Sequence, residues 1–212
     1  MTRPDLTLLH TSPVHVPVFD ALRDRDRPGA VLRHLVAPEL LDRAIAQGPD
    51  AVAPALRGLL AGSAAPVLVT CSTLGAVAES LAPDLGVPVL RVDRPMAADA
   101  VRRGGRIVVL AALESTLAPT LDLLAQEART AGMRPPSVRA QLVAGAWERF
   151  AAGDPAGCHA LVARAADELT GADVVVLAQV SMAGAARLTA TRVPVLTAPG
   201  PGLAAGLALA GA

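Results

Sequence analysis

Val67-Leu68-Val69-Thr70-Cys71-Ser72-Thr73-Leu74-Gly75 runs an apolar, β-branched segment straight into a thiol and two hydroxyls, and the residues after it, 74–81, read as a helix. Cys71, Ser72 and Thr73 therefore stand where a strand hands over to a helix. The first N–H groups of a helix have no partner within it, and its dipole turns a positive end towards whatever binds there. The same field lowers the pKa of a thiol, so Cys71 is expected as a thiolate beside a carboxylate pocket.

Outward from this junction, strand-like and helix-like segments alternate. Residues 6–10 form a first strand, and Thr11-Ser12-Pro13 behind it are placed to cap a helix beginning near Val14. A strand at 31–36, helices at 38–45 and 49–62 and the strand at 66–70 complete the stretch before Cys71. Beyond it come a short strand at 87–90, a turn into a helix at 91–100, and a buried strand at 106–110. Glu114-Ser115-Thr116 then cap a helix to Arg129, a strand covers 137–142, and a helical region at 147–169 breaks near Gly153-Asp154-Pro155 before a strand at 173–177. This order predicts an α/β protein with parallel, doubly wound sheets. A weak internal repeat sharpens it. Residues 65–71, a helix and Val87-Pro88-Val89-Leu90 match residues 172–178, a helix and Val193-Pro194-Val195-Leu196. Two pseudo-symmetric lobes are expected, 1–92 plus 197–212 and 93–196, with ligands bound in the cleft where the carboxyl ends of the strands converge.

Composition narrows the partners. The chain has 212 residues, 52% of them apolar, enough for a substantial core. Its nineteen basic residues are all arginine and are cancelled by nineteen acidic ones. With no basic tract, nucleic acid is an unexpected partner. Apolar runs are broken by Pro, Gly or charge, and Met1-Thr2-Arg3-Pro4-Asp5 lacks the apolar core of a cleavable signal, so a cytoplasmic protein without a membrane span is expected. Two cysteines, Cys71 and Cys158, are too few for a disulfide framework or a cysteine-based zinc site. One Trp, two Phe and no Tyr disfavour an aromatic-lined pocket and favour a small aliphatic acid.

With His10-Thr11-Ser12, Val69-Thr70-Cys71-Ser72-Thr73-Leu74-Gly75 and Leu177-Ala178-Gln179-Val180-Ser181-Met182 in view, the chain resembles the aspartate/glutamate racemase superfamily over nearly its full length. That superfamily includes amino-acid and hydantoin racemases, maleate isomerases and arylmalonate decarboxylases. The resemblance implies two pseudo-symmetric α/β lobes with the site between them, and neither a metal nor an organic cofactor. Family racemases carry one cysteine at a strand end in each lobe. The first motif is present as Cys71-Ser72-Thr73, whereas the residue that best matches the second cysteine is Gln179. A two-base racemase removes a proton with one thiolate and returns it from a thiol on the other face, which an amide does not do. Gln179 is expected instead to donate a hydrogen bond to a carboxylate or enolate.

The expectation is thus a cofactor-independent enzyme acting on a small carboxylic or dicarboxylic acid through the single thiol Cys71, by isomerisation through a thioether or by protonation after decarboxylation. Two alternatives stand beside it: a carboxylate-binding or sensing protein without turnover, and a true racemase with an unrecognised second base. Ser72 and Thr73 serve equally as N-caps or as substrate ligands, since the geometry is shared. Thr116 resembles the family's second-lobe carboxylate-binding threonine, although capping explains it as well, and Thr11, Ser12 and Ser181 stand at strand ends of the same kind. Asp93 and Arg94 cap the next helix or line the lobe boundary. His10 and His34 read as hydrogen-bonded structural residues. Cys158 and His159 are neighbours on a helix and face different ways, so they do not pair as nucleophile and base. A small carboxylate is the expected partner, with a homodimer left open.

Overall fold

The computed structural model describes residues 4–210; Met1-Thr2-Arg3 of the N-terminal segment and residues 211–212 of the expected first lobe lie outside the described residues. In chain order the elements are β1 (Leu6–His10), α1 (His15–Asp26), β2 (Leu32–Val36), α2 (Pro38–Gln47), α3 (Ala53–Leu60), β3 (Val67–Val69), α4 (Ser72–Ser80), α5 (Ala82–Leu85), β4 (Val89–Arg91) and α6 (Arg94–Arg103). They continue with β5 (Arg106–Ala111), α7 (Leu117–Thr130), β6 (Ser137–Leu142), α8 (Ala146–Ala151), α9 (Pro155–Asp167), β7 (Val174–Leu177), β8 (Val195–Thr197) and α10 (Pro199–Ala210). Short 3-10 turns occupy Pro49–Val52, Glu114–Thr116 and Val180–Arg187.

The strands form two parallel four-stranded sheets, ordered β2-β1-β3-β4 and β6-β5-β7-β8. Each belongs to one compact unit. The first runs to Val92 and resumes at Pro199, and the second is the continuous segment Asp93–Ala198. The central strands β1, β3, β5 and β7 are apolar runs because helices cover both their faces. Leu6, Leu8, Leu9, Val67, Leu68 and Val69 are fully buried in the first sheet, as are Val174 to Leu177 in the second. The outer strands β2 and β6 are largely accessible and alternate apolar residues with Arg33, His34 and Arg139, the composition of protected edges.

On one face of the first sheet, Leu40, Leu56, Leu60, Leu74 and Ala78 from α2, α3 and α4 pack on Leu9, Val67 and Val69. On the other, Gly202 of α10 sits so close to Val92 that a Cβ there would lie 2.5 Å from the Val92 carbonyl oxygen, and a Cβ at Gly206 would come within 3.0 Å of Leu6. In the second unit Val162, Ala166, Met182 and Cys158 pack on Val108, Leu110, Val175 and Leu177. The sole tryptophan, Trp147 on α8, lies beside Phe150 with ring centroids 5.7 Å apart.

Two local expectations are corrected. The helix after β1 starts at His15 behind Val14, with no side-chain cap, so Thr11 and Ser12 are not caps; the turn is closed instead by the His15 N–H donating to the Ser12 carbonyl at 3.3 Å. The helix expected over 49–62 is a 3-10 turn that passes into α3, since Pro54 has no N–H to continue a helix begun at Pro49, and α3 stops at Leu60 where Ala61 turns extended (φ −56, ψ 135).

Candidate active site

The two units place their chemistry at matching points. The Thr70 N–H donates to the Leu9 carbonyl at 2.9 Å, carrying the β1–β3 ladder one step past β3. In the second unit the Ala178 N–H donates to the Leu110 carbonyl at 3.0 Å in the same way past β7. The next residue in each unit is the N-cap of a helical segment: Cys71 (φ −111, ψ 115) before α4 and Gln179 (φ −129, ψ 145) before the 3-10 turn. Cys71 and Gln179 are therefore topological equivalents, as are the segments after β1 and β5 that begin at Thr11 and Ala112.

Around Cys71 the first unit gathers Thr11, Ser72 and Thr73, each less than a tenth exposed, with Ser12 half-buried beside them. Cys71 is the N-cap of α4 and makes no regular side-chain cap on it. Burial pushes the Cys71 thiol above its ordinary value, opposed by the Thr11 hydroxyl, the N–H groups of Leu74 and Thr73 and the Thr73 hydroxyl. Burial thus works against the expected thiolate. With Cys71 only 8% exposed, removing the charged form from water outweighs the field of the helix end.

Gln179 is held by its side-chain oxygen, which accepts from the N–H groups of Ala112 at 2.7 Å and Leu113 at 3.0 Å. Those two bonds fix the amide, so only its Nε2 is left as a donor. Thr116 is 2% exposed at the N-cap of α7, again without a side-chain cap, and its carbonyl accepts from the Thr120 hydroxyl at 2.8 Å. Ser181 is 8% exposed within the 3-10 turn, and its carbonyl hydrogen-bonds Nε2 of His159 at 2.9 Å. That contact, with Gly184 pressed against the imidazole, makes His159 a brace for the turn. Cys158 is enclosed in the core of the second unit, its thiol pushed up to about 11 by burial and by Asp154.

Asp93 is fully buried as the N-cap of α6, making no side-chain cap, while Arg94 is bonded to Glu127 and Gln126 within the second unit. Arg91, at the end of β4, went unread in the sequence. It is 2% exposed, its N–H donates to Glu79 at 3.1 Å, and its side chain lies against Gly75. An arginine closing a three-residue strand just before a buried Asp was the available signal. Also missed was the connection of His10 to Thr70 and His34, at 2.8 Å each. Among the described residues, no group of three or more His, Cys, Asp or Glu could hold a metal ion, and no helix is long and apolar enough to cross a membrane.

A fold of two such parallel-sheet units, with hydroxyls and a thiol at the strand ends, agrees with the comparisons to known proteins. The profile of the Asp/Glu/Hydantoin racemase family matches residues 16–202, and the chain belongs to that family. No curated protein matches the chain. Among solved structures, an aspartate racemase homologue from Pyrococcus horikoshii OT3 aligns at 12% identity over all of both chains, with a TM-score of 0.69. A variant of arylmalonate decarboxylase in a sulfate-associated form aligns at 22% identity over 98% of this chain and 94% of its own, with a TM-score of 0.59. Allantoin racemase from Klebsiella pneumoniae aligns at 17% identity, covering 97% and 87%, with a TM-score of 0.61.

Proposed function

We propose that this protein is a cofactor-independent enzyme of lyase type, in which Cys71 protonates the carbanion left when a small acid bearing two carboxylates on one carbon loses carbon dioxide. The observation that carries this reading is the pairing of a buried thiol at Cys71, which burial pushes up, with an amide at the equivalent position, Gln179. A resting S–H is a proton donor and a weak nucleophile, which favours protonation over thioether isomerisation. Racemisation needs a second acid–base group, and Gln179, at the position equivalent to Cys71, is not one.

In this mechanism the C–C bond to one carboxylate breaks and its electron pair stays on the α-carbon as an enediolate. The Cys71 S–H gives that carbon its proton, and the resulting thiolate recovers one from water. Thr11, Ser72 and Thr73, with the first N–H groups of α4, hold the retained carboxylate and the developing charge; losing one such donor typically costs about 100- to 1,000-fold in rate. Ser12 is a further substrate contact in this reading; Thr116, Ser181 and the Gln179 Nε2 occupy the equivalent strand ends of the second unit.

Incubation with a set of small geminal dicarboxylates in D2O, followed by proton NMR, tests it. The expected product is the monoacid with one deuterium at the α-carbon, formed at least about 100-fold more slowly by a folded Cys71→Ala variant. Turnover unaffected in that variant, or α-proton exchange with racemisation of an amino acid, would overturn the proposal.

A further inference from the structure

Behind the strand end that carries Cys71, side chains from α1, β2 and β1 and the residue just after β3 form one hydrogen-bonded chain. Asp20 on α1 meets His34 Nε2 at 3.4 Å, His34 Nδ1 meets His10 Nε2 at 2.8 Å, and His10 Nδ1 meets the Thr70 hydroxyl at 2.8 Å. That hydroxyl is also 3.0 Å from the Leu9 carbonyl. The two imidazoles lie nearly parallel, at 18°. His10 is fully buried, Thr70 is 2% exposed, and the side chains of His34 and Asp20 are 15% and 37% exposed, so the chain runs from solvent to the core.

Proton counting leaves this chain two self-consistent states. A neutral imidazole has one N–H, and a carboxylate only accepts. With His34 neutral, its Nε2–H faces Asp20, its Nδ1 accepts from His10 Nε2–H, and His10 Nδ1 accepts from the Thr70 hydroxyl. With His34 charged, both its nitrogens donate. His10 then accepts at Nε2 and donates from Nδ1 to Thr70, whose own proton turns to the Leu9 carbonyl. The remaining arrangement, a neutral His34 with a bare Nε2, sets a lone pair against the Asp20 carboxylate and is unfavourable.

We propose that Asp20, His34, His10 and Thr70 form a proton-driven relay, in which uptake of one proton reverses the tautomer of His10 and swings the Thr70 hydroxyl from His10 to the Leu9 carbonyl. The balance is one proton taken from water: the hydrogen between the rings passes from His10 Nε2 to His34 Nδ1, and His10 gains a proton at Nδ1 while staying neutral. Burial and the neighbouring His34 and His15 hold His10 well below the usual imidazole range, at about 3, consistent with His10 being neutral in both states.

The charged groups facing the relay are few. From α1 come Asp20, which favours the imidazolium, and Arg23, 3.3 Å from the same carboxylate oxygen, which weakens that effect. His15, also on α1, stands 6.1 Å from His10, centroid to centroid. β1 contributes His10, and the residue after β3 is the neutral Thr70. The output falls on the Leu9 carbonyl, which already holds the Thr70 N–H, so the switch acts on the paired strand ends that continue into Thr11 and Cys71. His10 and His34 are in this sense positioning residues. The relay stands apart from the proposed reaction, since it needs no substrate.

Long-range proton–nitrogen NMR of protein labelled with nitrogen-15 in histidine reads both rings directly. Across pH about 8.5 to 5, His10 is expected to change from the Nε2–H to the Nδ1–H tautomer as His34 takes up the proton, the two rings sharing one midpoint. In H34Q, where no proton can be taken up, His10 should keep one tautomer at every pH. In D20N, which alters a half-exposed side chain and guards against a misfolded H34Q, the shared midpoint should fall by about half a pH unit or more. A His10 tautomer that stays fixed while His34 titrates, a His34 that takes up no proton in this range, or a midpoint unmoved in D20N would each overturn the relay.

Discussion

His10 and His15 tie acid sensitivity to single side chains. Burial holds both below the ordinary imidazole value, His10 at about 3 and His15 at about 4. Because each folded-state pKa is depressed, the stability is present above about 6.5 and lost as pH falls towards those values, at up to about 1.4 kcal/mol per pH unit for each histidine. Urea midpoints at pH 7 and pH 5 should therefore differ clearly, and equal midpoints would contradict the assignment. At this scale the sequence was legible in part. Cys71 could be placed at a strand end from the apolar run before it, but the sign of its pKa shift depends on how deeply it is buried, and no local pattern reports that. The relay was illegible for another reason: the register that sets His34 opposite Leu8, one same-face step from His10, arises only when β1 and β2 pair.

Elements were legible where apolar runs alternate with helical periods, and the strands of both sheets and their parallel pairing agree with that alternation. Their ends were less so. Thr11 and Ser12 have the composition of a cap, yet α1 begins three residues beyond Ser12, because a backbone-closed turn replaces the side-chain cap. Glycines within helices divide by what their missing side chains would touch. A Cβ at Gly75 in α4 would lie 2.9 Å from both Cβ and Nε of Arg91, whereas one at Gly58 in α3 meets nothing within 4 Å. Gly58→Ala is expected to stabilise the protein by about 0.5–1 kcal/mol through reduced freedom of the unfolded chain. Gly75→Ala should instead destabilise it by about 1–3 kcal/mol, since the buried Arg91 must move. Thermal or urea unfolding of the two variants gives the order, and a stabilised Gly75→Ala would refute the close packing.

For the whole molecule, the internal repeat carried most of the reading, since two similar strand-helix-strand segments imply two similar units. The chain's path makes those units unequal. Asp93–Ala198 is continuous, while the first unit needs α10, delivered from the far end of the chain, to cover β1 and β3 through Leu203, Gly202 and Gly206. A fragment of residues 93–198 is therefore expected to fold alone, with dispersed amide NMR signals, whereas residues 1–92 without α10 should not. A well-dispersed spectrum from residues 1–92 would show α10 to be dispensable.

Trp147 gives this asymmetry an optical handle. As the chain's single tryptophan, in α8, it makes intrinsic indole emission a private reporter of the second unit, while far-ultraviolet circular dichroism sums the helices of both. Denaturation monitored by the two signals together would superimpose if the chain melts as one cooperative body and separate if it melts in halves. One ring thus turns an ordinary unfolding curve into a measure of how strongly the two halves are coupled.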